Sequence, residues 1–336
     1  MAVLGGDVLT LAEMKTRLGP DDKVADIIEV LERQDEMVED IPWMEGNLTT
    51  GHVSTIRAGL PTPTWRRFNE GVANTKSTTA QVTFNTGMLF ARTQVDKQLL
   101  RLNGNGAKAR WTESKAQLQG LTQAVADAIV YADPQANAST DEKKFAGLHY
   151  YFKDNTTANT KDNIISAAGN DTDLTSIWIV AWGEDTVCGI YPKGMVAGLE
   201  HDDLGEDDAL DASSNPYRVL KDEYRWFCGL AVQDWRAVVR IASIDKSALV
   251  GTVANQQALV NYLIEGLEKI PAQYRSRAKI YMNSTVRTAL RLGIIANVTA
   301  GGGLTYENVA GKQVMMFDGH PVRVSNAITN SETTIS

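Results

Sequence analysis

The sequence predicts an α+β protein, and three observations carry that prediction. Two stretches, 47–95 and 176–245, are rich in Thr, Val, Ile and aromatic residues and partly alternate, as strands do. Apolar residues recur at helical spacing along 107–132 and again over 255–269. Near the C-terminus, "QVMMF" and "PVRVS" flank Asp318-Gly319, the turn chemistry of a hairpin.

Bulk properties narrow the function classes. The chain has 336 residues, 43% of them hydrophobic and 22% charged, enough for one large domain or two intimate ones with a buried core. Its start, "MAVLGGDVLTLAEMK", lacks the basic and then apolar pattern of a signal peptide. The longest apolar runs, such as "IWIVAW" (177–182), are too short to span a bilayer, so no membrane partner is expected. Cys188 and Cys228 form neither a CxxC nor a zinc pattern, and a reducing compartment is expected. A net charge of −8 argues against a free-standing nucleic-acid binder. Its distribution says more than its sum. Residues 1–50 hold twelve Asp/Glu against four Lys/Arg, while 51–115 hold ten Lys/Arg against three Asp/Glu. Such neighbours are either two solvated faces or surfaces that draw copies of the chain together.

Each element has its own signal. Thr10 and Glu13 stand at capping-box spacing, so a short helix is expected over 10–18, ending at Gly19-Pro20. A second is expected from Asp22 to about Met37, with Val24, Ile27, Ile28 and Leu31 on one face and Glu29, Glu32 and Glu36 mostly off it. An arm of this kind buries its stripe only against a core or a neighbour. Strands are expected over 52–60 and 77–93, joined by "PTPTWRRFNEGVANTK" (61–76). That basic excursion is long enough to be functional, and Trp65 and Phe68 argue against disorder.

"NGNGAKARW" leads into a long helix, about 107–132, with Leu118, Leu121, Val125 and Ile129 in one stripe and Asp133-Pro134 as its stop. At about 1.5 Å per residue it reaches roughly 40 Å. Polar loops at 137–144 and 153–163 flank "FAGLHYYF" (145–152). Strands return in "SIWIVAW", "TVCGIYP", "YRWFCGLAVQ" and "WRAVVRIASI". Beyond them come a helix carrying Leu259, Val260, Leu263, Ile264 and Leu267, a strand at 278–282, and a helix capped by Asn283 or Ser284 and running to Leu292. A flexible loop is expected at 299–308, before the hairpin.

The chemistry-bearing motifs do not assemble an enzyme. "GNGAKA" (104–109) matches the dinucleotide fingerprint, with Asp127 about the right distance on. That motif needs a buried parallel strand before it, and "VDKQLLRL" is charged and helix-like. His52, His149, His201 and His320 are scattered singly, without a zinc spacing. "LEHDDLGEDDALD" (199–211) masses carboxylates around His201, but its acids come in adjacent pairs whose side chains diverge. It reads as a solvated acidic loop between strands. No catalytic residue, cofactor or metal is expected.

A detached acidic arm and a basic aromatic excursion are the features of a subunit that embraces its neighbours. In that combination the chain resembles the major capsid proteins of tailed double-stranded DNA bacteriophages, whose fold is shared with encapsulins and the herpesvirus capsid floor. "GHVSTIRAGLPTPTWRRFNEG" and "DWRAVVRI" resemble one short-tailed-phage branch, and "ALVNYLIEGLEKIPAQYRSRAKIYMNSTVRTALRLG" with "GKQVMMFDGHPVRVSNAI" resembles the axial-domain helix–strand–helix and closing hairpin.

The resemblance implies an N-terminal arm over 1–48, an E-loop over 49–93, a peripheral domain over 94–245 with its spine helix at about 107–132, and an axial domain over 246–336. One departure is visible: the counterparts of the long peripheral strands, about 176–245, precede the helix–strand–helix unit. The implied function is a subunit that assembles with itself, as pentamers and hexamers, into an icosahedral shell around packaged DNA, without sequence-specific contact. The setting is the virion, and the host bacterial cytoplasm during assembly. Scaffolding, portal and decoration proteins are the further partners such a shell allows. The interface residues singled out are Trp65, Arg66, Arg67, Phe68, Arg57 and Lys76 on the E-loop, with Glu29, Glu36 and Glu39 on the arm. The tip is expected to meet a neighbour's acidic surface, either the arm around Glu29–Glu39 or the 200–211 stretch. Lys76 is the one E-loop lysine, in a family where some members crosslink lysine to asparagine. The alternatives are a phage tail or adaptor ring protein and a nucleotide-binding α/β enzyme.

Overall fold

Asp35 is the first of the described residues, which in this computed structural model are 35–101, 106–135, 143–156, 159–210, 213–296, 304–309 and 312–335. The helix expected over 10–18 lies outside them, as does most of the one expected over 22–37. Where the second enters, it is corrected. Asp35 is extended, at φ −109° and ψ 108°, and its carboxylate caps a separate helix, α1 (Glu36–Asp40), by accepting from Met37 N at 3.0 Å.

β1 (Trp43–Glu45) leads to a hairpin of β2 (Gly51–Gly59) and β3 (Thr78–Asp96). Next come α2 (Lys97–Arg101) and the long α3 (Gly106–Tyr131), the spine helix, which begins one residue before its expected start. Its expected stripe faces inward: Leu121, Val125 and Ile129 are buried, and Leu118 is half-buried. A short α4 (Leu148–Tyr151) and β4 (Ile164–Ser166) precede β5 (Leu174–Ala181), β6 (Val187–Tyr191), β7 (Leu199–Leu210), β8 (Pro216–Val232) and β9 (Val238–Asp245). The C-terminal part holds α5 (Lys246–Gly251), α6 (Val253–Lys269), α7 (Ala272–Arg275), β10 (Ala278–Met282), α8 (Ser284–Ala296), β11 (Leu304–Val309), β12 (Lys312–Phe317) and β13 (His320–Val324).

The described strands make two sheets. One runs β1-β6-β8-β3-β2, with β7 also paired to β8, and the other runs β11-β12-β13-β10-β5-β9-β4. The stretch 176–245 is therefore not one block of peripheral strands. The chain leaves the second sheet after β5, lays β8 against the hairpin strand β3 with β6 and β7 paired to β8, and rejoins the second sheet at β9.

β5 and β9 are apolar on both faces because both faces are covered. Ile177, Ile179, Val239 and Ile241 pack with Leu259, Leu263 and Leu267 of α6 and Val286 and Leu290 of α8. On the opposite face Trp178, Val180 and Val238 pack with Val125 and Ile129 of the spine helix and with Phe145, Phe152 and Met37. The two-residue period of a strand makes this division.

At the centre lies a buried charge. Arg240 Nη2 is 2.8 Å from Glu332 Oε2, its Nη1 donates to the Phe152 carbonyl at 2.7 Å, and its Nε donates to Ser176 Oγ at 3.1 Å. Tyr131 at the end of the spine helix donates its hydroxyl to Glu332 Oε1 at 2.5 Å. One cluster thus fastens the C-terminal tail, the second sheet, α4 and the spine helix.

Three further expectations are revised. Residues 199–210 of the carboxylate-rich stretch 199–211 are the strand β7, not a loop, and Asp211 lies outside the described residues. Residues 304–308 of the expected loop at 299–308 belong to β11, registered along β12 from Leu304 opposite Phe317 to Val309 opposite Lys312. α8 runs on to Ala296, past Leu292. The hairpin at Asp318-Gly319 is as expected, with both residues at positive φ, 49° and 77°.

Candidate inter-subunit interface

The excursion between β2 and β3 has a defined tip. Asn69 takes a left-handed φ of 63°, Glu70 N donates to the Arg67 carbonyl at 3.4 Å, and Arg67 N donates to Glu70 Oε2 at 3.0 Å. Arg66 Nη1 adds a 3.1 Å hydrogen bond to the Glu70 carbonyl. These local bonds fix a turn and leave the aromatic side chains to solvent: Trp65 is 101% exposed and Phe68 97%. Leu60 and Val72 beside them are exposed too and add apolar surface to the tip. Arg57 on β2 and Lys76 before β3 are exposed along the same hairpin.

The arm side is only partly within the described residues, and Glu29 lies outside them. Glu36 is engaged inside its own subunit, accepting from Val324 N at 3.3 Å and lying 3.6 Å from Arg323. Glu39 is exposed.

On β7 the acids face bases. Glu200 accepts from Arg225 Nε at 2.5 Å, and Asp202 lies 2.8 Å from Arg225 Nη2. Asp203 is 2.6 Å from Arg110 of the spine helix, Asp207 is 2.6 Å from Lys221, Asp208 is 3.2 Å from Arg218, and Glu206 pairs with Lys97 of α2. The pairing accounts for the titration of these groups. Hydrogen bonds from Arg110, Lys97 and Lys221 hold the carboxyls of Asp203, Glu206 and Asp207 below their ordinary range. For Asp222 on β8, burial alone acts upward, but hydrogen bonds from Arg110 and His201 outweigh it and hold the carboxyl low. His201 Nε2 sits 2.9 Å from Asp222 Oδ1, and its ring stacks on Tyr224. Residues 200–208 of the stretch expected as a solvated acidic loop thus form a ladder of ion pairs to the next strand and two helices.

The outward face of the same sheet carries an apolar patch. Met88 and Phe90 of β3 are exposed, and Phe90 meets Phe227 edge-on at 6.0 Å. Phe90 is registered with Arg225, which is registered with Glu200, so the patch lies beside the acids of β7.

The other motifs settle simply. β3 is antiparallel to both β2 and β8, and α2 stands between it and the spine helix, so the parallel-strand context "GNGAKA" needs is missing. Gly104 and Asn105 themselves lie outside the described residues. Cys188 and Cys228 are buried, and burial pushes their thiols up to about 11 and about 12. Asp171, Asp173 and Asp245 bring one carboxylate oxygen each within 4.8 Å of one another, though Asp245 already caps α5 through Ala248 N at 2.8 Å. Among the described residues no helix is long and apolar enough to cross a membrane.

Residues 19–336 match the family model described as major capsid protein GP7. Among solved structures, one of bacteriophage epsilon15 is 29% identical, covering 100% of this chain and 99% of its own, with a TM-score of 0.74. A bacteriophage JBD30 capsid (11% identity, 89% and 93% covered, TM-score 0.47) and a Synechococcus elongatus encapsulin (8%, 70% and 95%, 0.44) are also similar. A search of curated proteins finds no match.

Proposed function

Because the chain belongs to the major capsid protein GP7 family, we propose how its parts divide the work of building a shell. The protein is a structural subunit that assembles with copies of itself into the icosahedral head shell of a phage. In our reading the subunits gather as pentamers and hexamers, and the E-loop hairpin of each lies across its neighbour. Residues 1–48 serve as the arm, 49–93 as the E-loop, 94–245 as the peripheral domain and 246–336 as the axial domain. Sheet pairing with β10 supports counting β4, β5 and β9 with the axial body.

One observation carries the interface assignment: a hydrogen-bonded basic turn that holds Trp65 and Phe68 wholly in solvent. Aromatic side chains this exposed on an ordered segment mark a surface that is covered in an assembly. The neighbour's β3/β7 face offers what the tip lacks, an apolar patch at Met88 and Phe90 with Glu200 and Asp202 beside it. Arg57 and Lys76 extend the basic side of that contact, and Glu29 and Glu39 supply acid from the arm, while Glu36 is held by Val324 and Arg323 of its own subunit and drops out of the expected set.

DNA is enclosed without sequence-specific contact, which a net charge of −8 favours because a lining that gripped phosphates would hinder packing and release. The subunit catalyses nothing, and it gathers in the host bacterial cytoplasm before residing in the virion. Scaffolding, portal and decoration proteins are its further partners. Electron microscopy of the purified protein tests the reading: closed shells are expected, whereas rings alone would favour a tail or adaptor protein.

A further inference from the structure

Residues 269–306 contain six Lys/Arg and no Asp/Glu, in a chain whose acids outnumber its bases 41 to 33. Four of the six find acids outside the run. Lys269 lies 3.6 Å from Glu265, Arg275 2.8 Å from Glu268, Arg277 2.9 Å from Asp185 and Lys279 2.6 Å from Asp40. The other two, Arg287 and Arg291, stand on α8, and among the described residues neither side chain has an ion-pair or hydrogen-bond partner.

The helix sets both arginines on its outer side. Val286, Ala289 and Leu290 are buried in the core on one face of the second sheet, so the helical period turns Ser284, Arg287, Thr288 and Arg291 away from it. Ser284, Thr288 and Arg291 are exposed, and Arg287 is half-buried. At four residues apart the arginines are neighbours on the surface, about 5–6 Å from Cβ to Cβ. Ser284 and Thr288 beside them are uncharged, so no carboxylate of α8 competes for the guanidiniums.

We infer that this face of α8 contacts phosphates of the enclosed DNA and therefore lines the inside of the shell, an inference that rests on the shell reading above. A guanidinium meets a phosphate through two parallel hydrogen bonds. Such contacts are indifferent to base sequence, because the phosphate backbone carries none of it. A protein partner fits less well. Leu292 is the large apolar side chain exposed among the described ones of α8, and the core of a protein interface needs several. The dense acids of β7 are already matched inside their own subunit, so a second copy offers little free charge there. Repulsion from the net charge of −8 keeps two phosphate contacts per subunit weak, so they seat the outer DNA without opposing its packing or release.

The test uses the unassembled subunit and a fluorescein-labelled DNA duplex of arbitrary sequence, with fluorescence anisotropy read across a range of salt concentrations. Binding is expected to weaken as salt rises, with a log–log slope of about −1.8 for two phosphates at about −0.9 each. Arg287→Gln with Arg291→Gln should remove that slope and lower affinity at low salt by at least ~10-fold. Lys193→Gln, which removes an exposed charge before β7, should leave both unchanged. Circular dichroism checks the folding of each variant. Electron microscopy keeps the two readings apart, since a wild type that forms no closed shells counts against the shell reading whatever the anisotropy shows. Wild-type binding without salt dependence, or a double variant that binds as wild type does, would overturn the inference. So would a double variant that binds DNA normally but no longer closes shells, because the face would then meet an acidic surface of a second copy.

Discussion

A guanidinium that is 1% exposed depends on each of its hydrogen bonds, and Arg240 finds them at Glu332, Ser176 and Phe152. Removing the carboxylate leaves an uncompensated buried charge, a loss of about 3–5 kcal/mol. Glu332→Ala should therefore lower the urea midpoint by far more than Asp208→Ala, which breaks an exposed pair worth about 0–1 kcal/mol. Equal effects would mean that Arg240 is solvated or partnered otherwise. The same cluster sets a pH dependence through His149. Burial, with Arg240 adding repulsion, lowers its pKa from 6.5 to about 4, and Glu332, Asp133 and Lys153 also face it. The folded state thus binds the proton less readily than the unfolded chain. Stability from the neutral ring is complete above pH 6.5 and is lost progressively as pH falls toward 4. His149→Gln should flatten the decline in melting temperature across that window, compared with wild type in parallel scans.

At the scale of elements, β7 shows what a single sequence can and cannot disclose. Long apolar periodicities were legible: the spine helix, α6, β10 and the Asp318-Gly319 hairpin all stand where the residue pattern puts them. β7 was not, because its alternation is of charges, and the cations that satisfy it are distant in sequence: Arg110 and Lys97 on helices, Lys221, Arg218 and Arg225 on the next strand. The exposure of the hairpin tip's aromatics was legible in the residue pattern. The patch at Met88 and Phe90 was hidden, since alternation tells which residues share a face but not which face stays uncovered. β7 also carries an irregularity: its register with β8 shifts between Asp203 and Gly205, where Gly205 adopts φ +73°. No atom lies within 4 Å of where a Cβ would stand there, so any cost of substitution is backbone strain alone. Gly205→Val should destabilise by about 1–2 kcal/mol in urea unfolding, the usual penalty for a side chain forced into the left-handed region. An unchanged midpoint would show that the bulge relaxes.

For the whole molecule the decisive quantity is association. The tip places Arg66 and Arg67 between two exposed aromatics, on a turn made by its own backbone and Glu70, so altering the arginines leaves the subunit core untouched. Each exposed ion pair contributes only about 0–1 kcal/mol. In the proposed interface, however, the contact repeats in every subunit of the shell, so small losses accumulate. Arg66→Glu with Arg67→Glu reverses the charge of the tip that we propose meets a neighbour's Glu200 and Asp202. It should leave circular dichroism unchanged while weakening or abolishing assembly, measured by sedimentation and electron microscopy. High salt should weaken wild-type assembly in the same direction, since it screens exposed pairs. Trp65 acts by burial of apolar surface, which salt does not screen. Trp65→Ala should therefore impair assembly at every salt concentration. Normal shells from the double charge reversal would remove the tip from the interface and leave its aromatic exposure without a purpose in assembly.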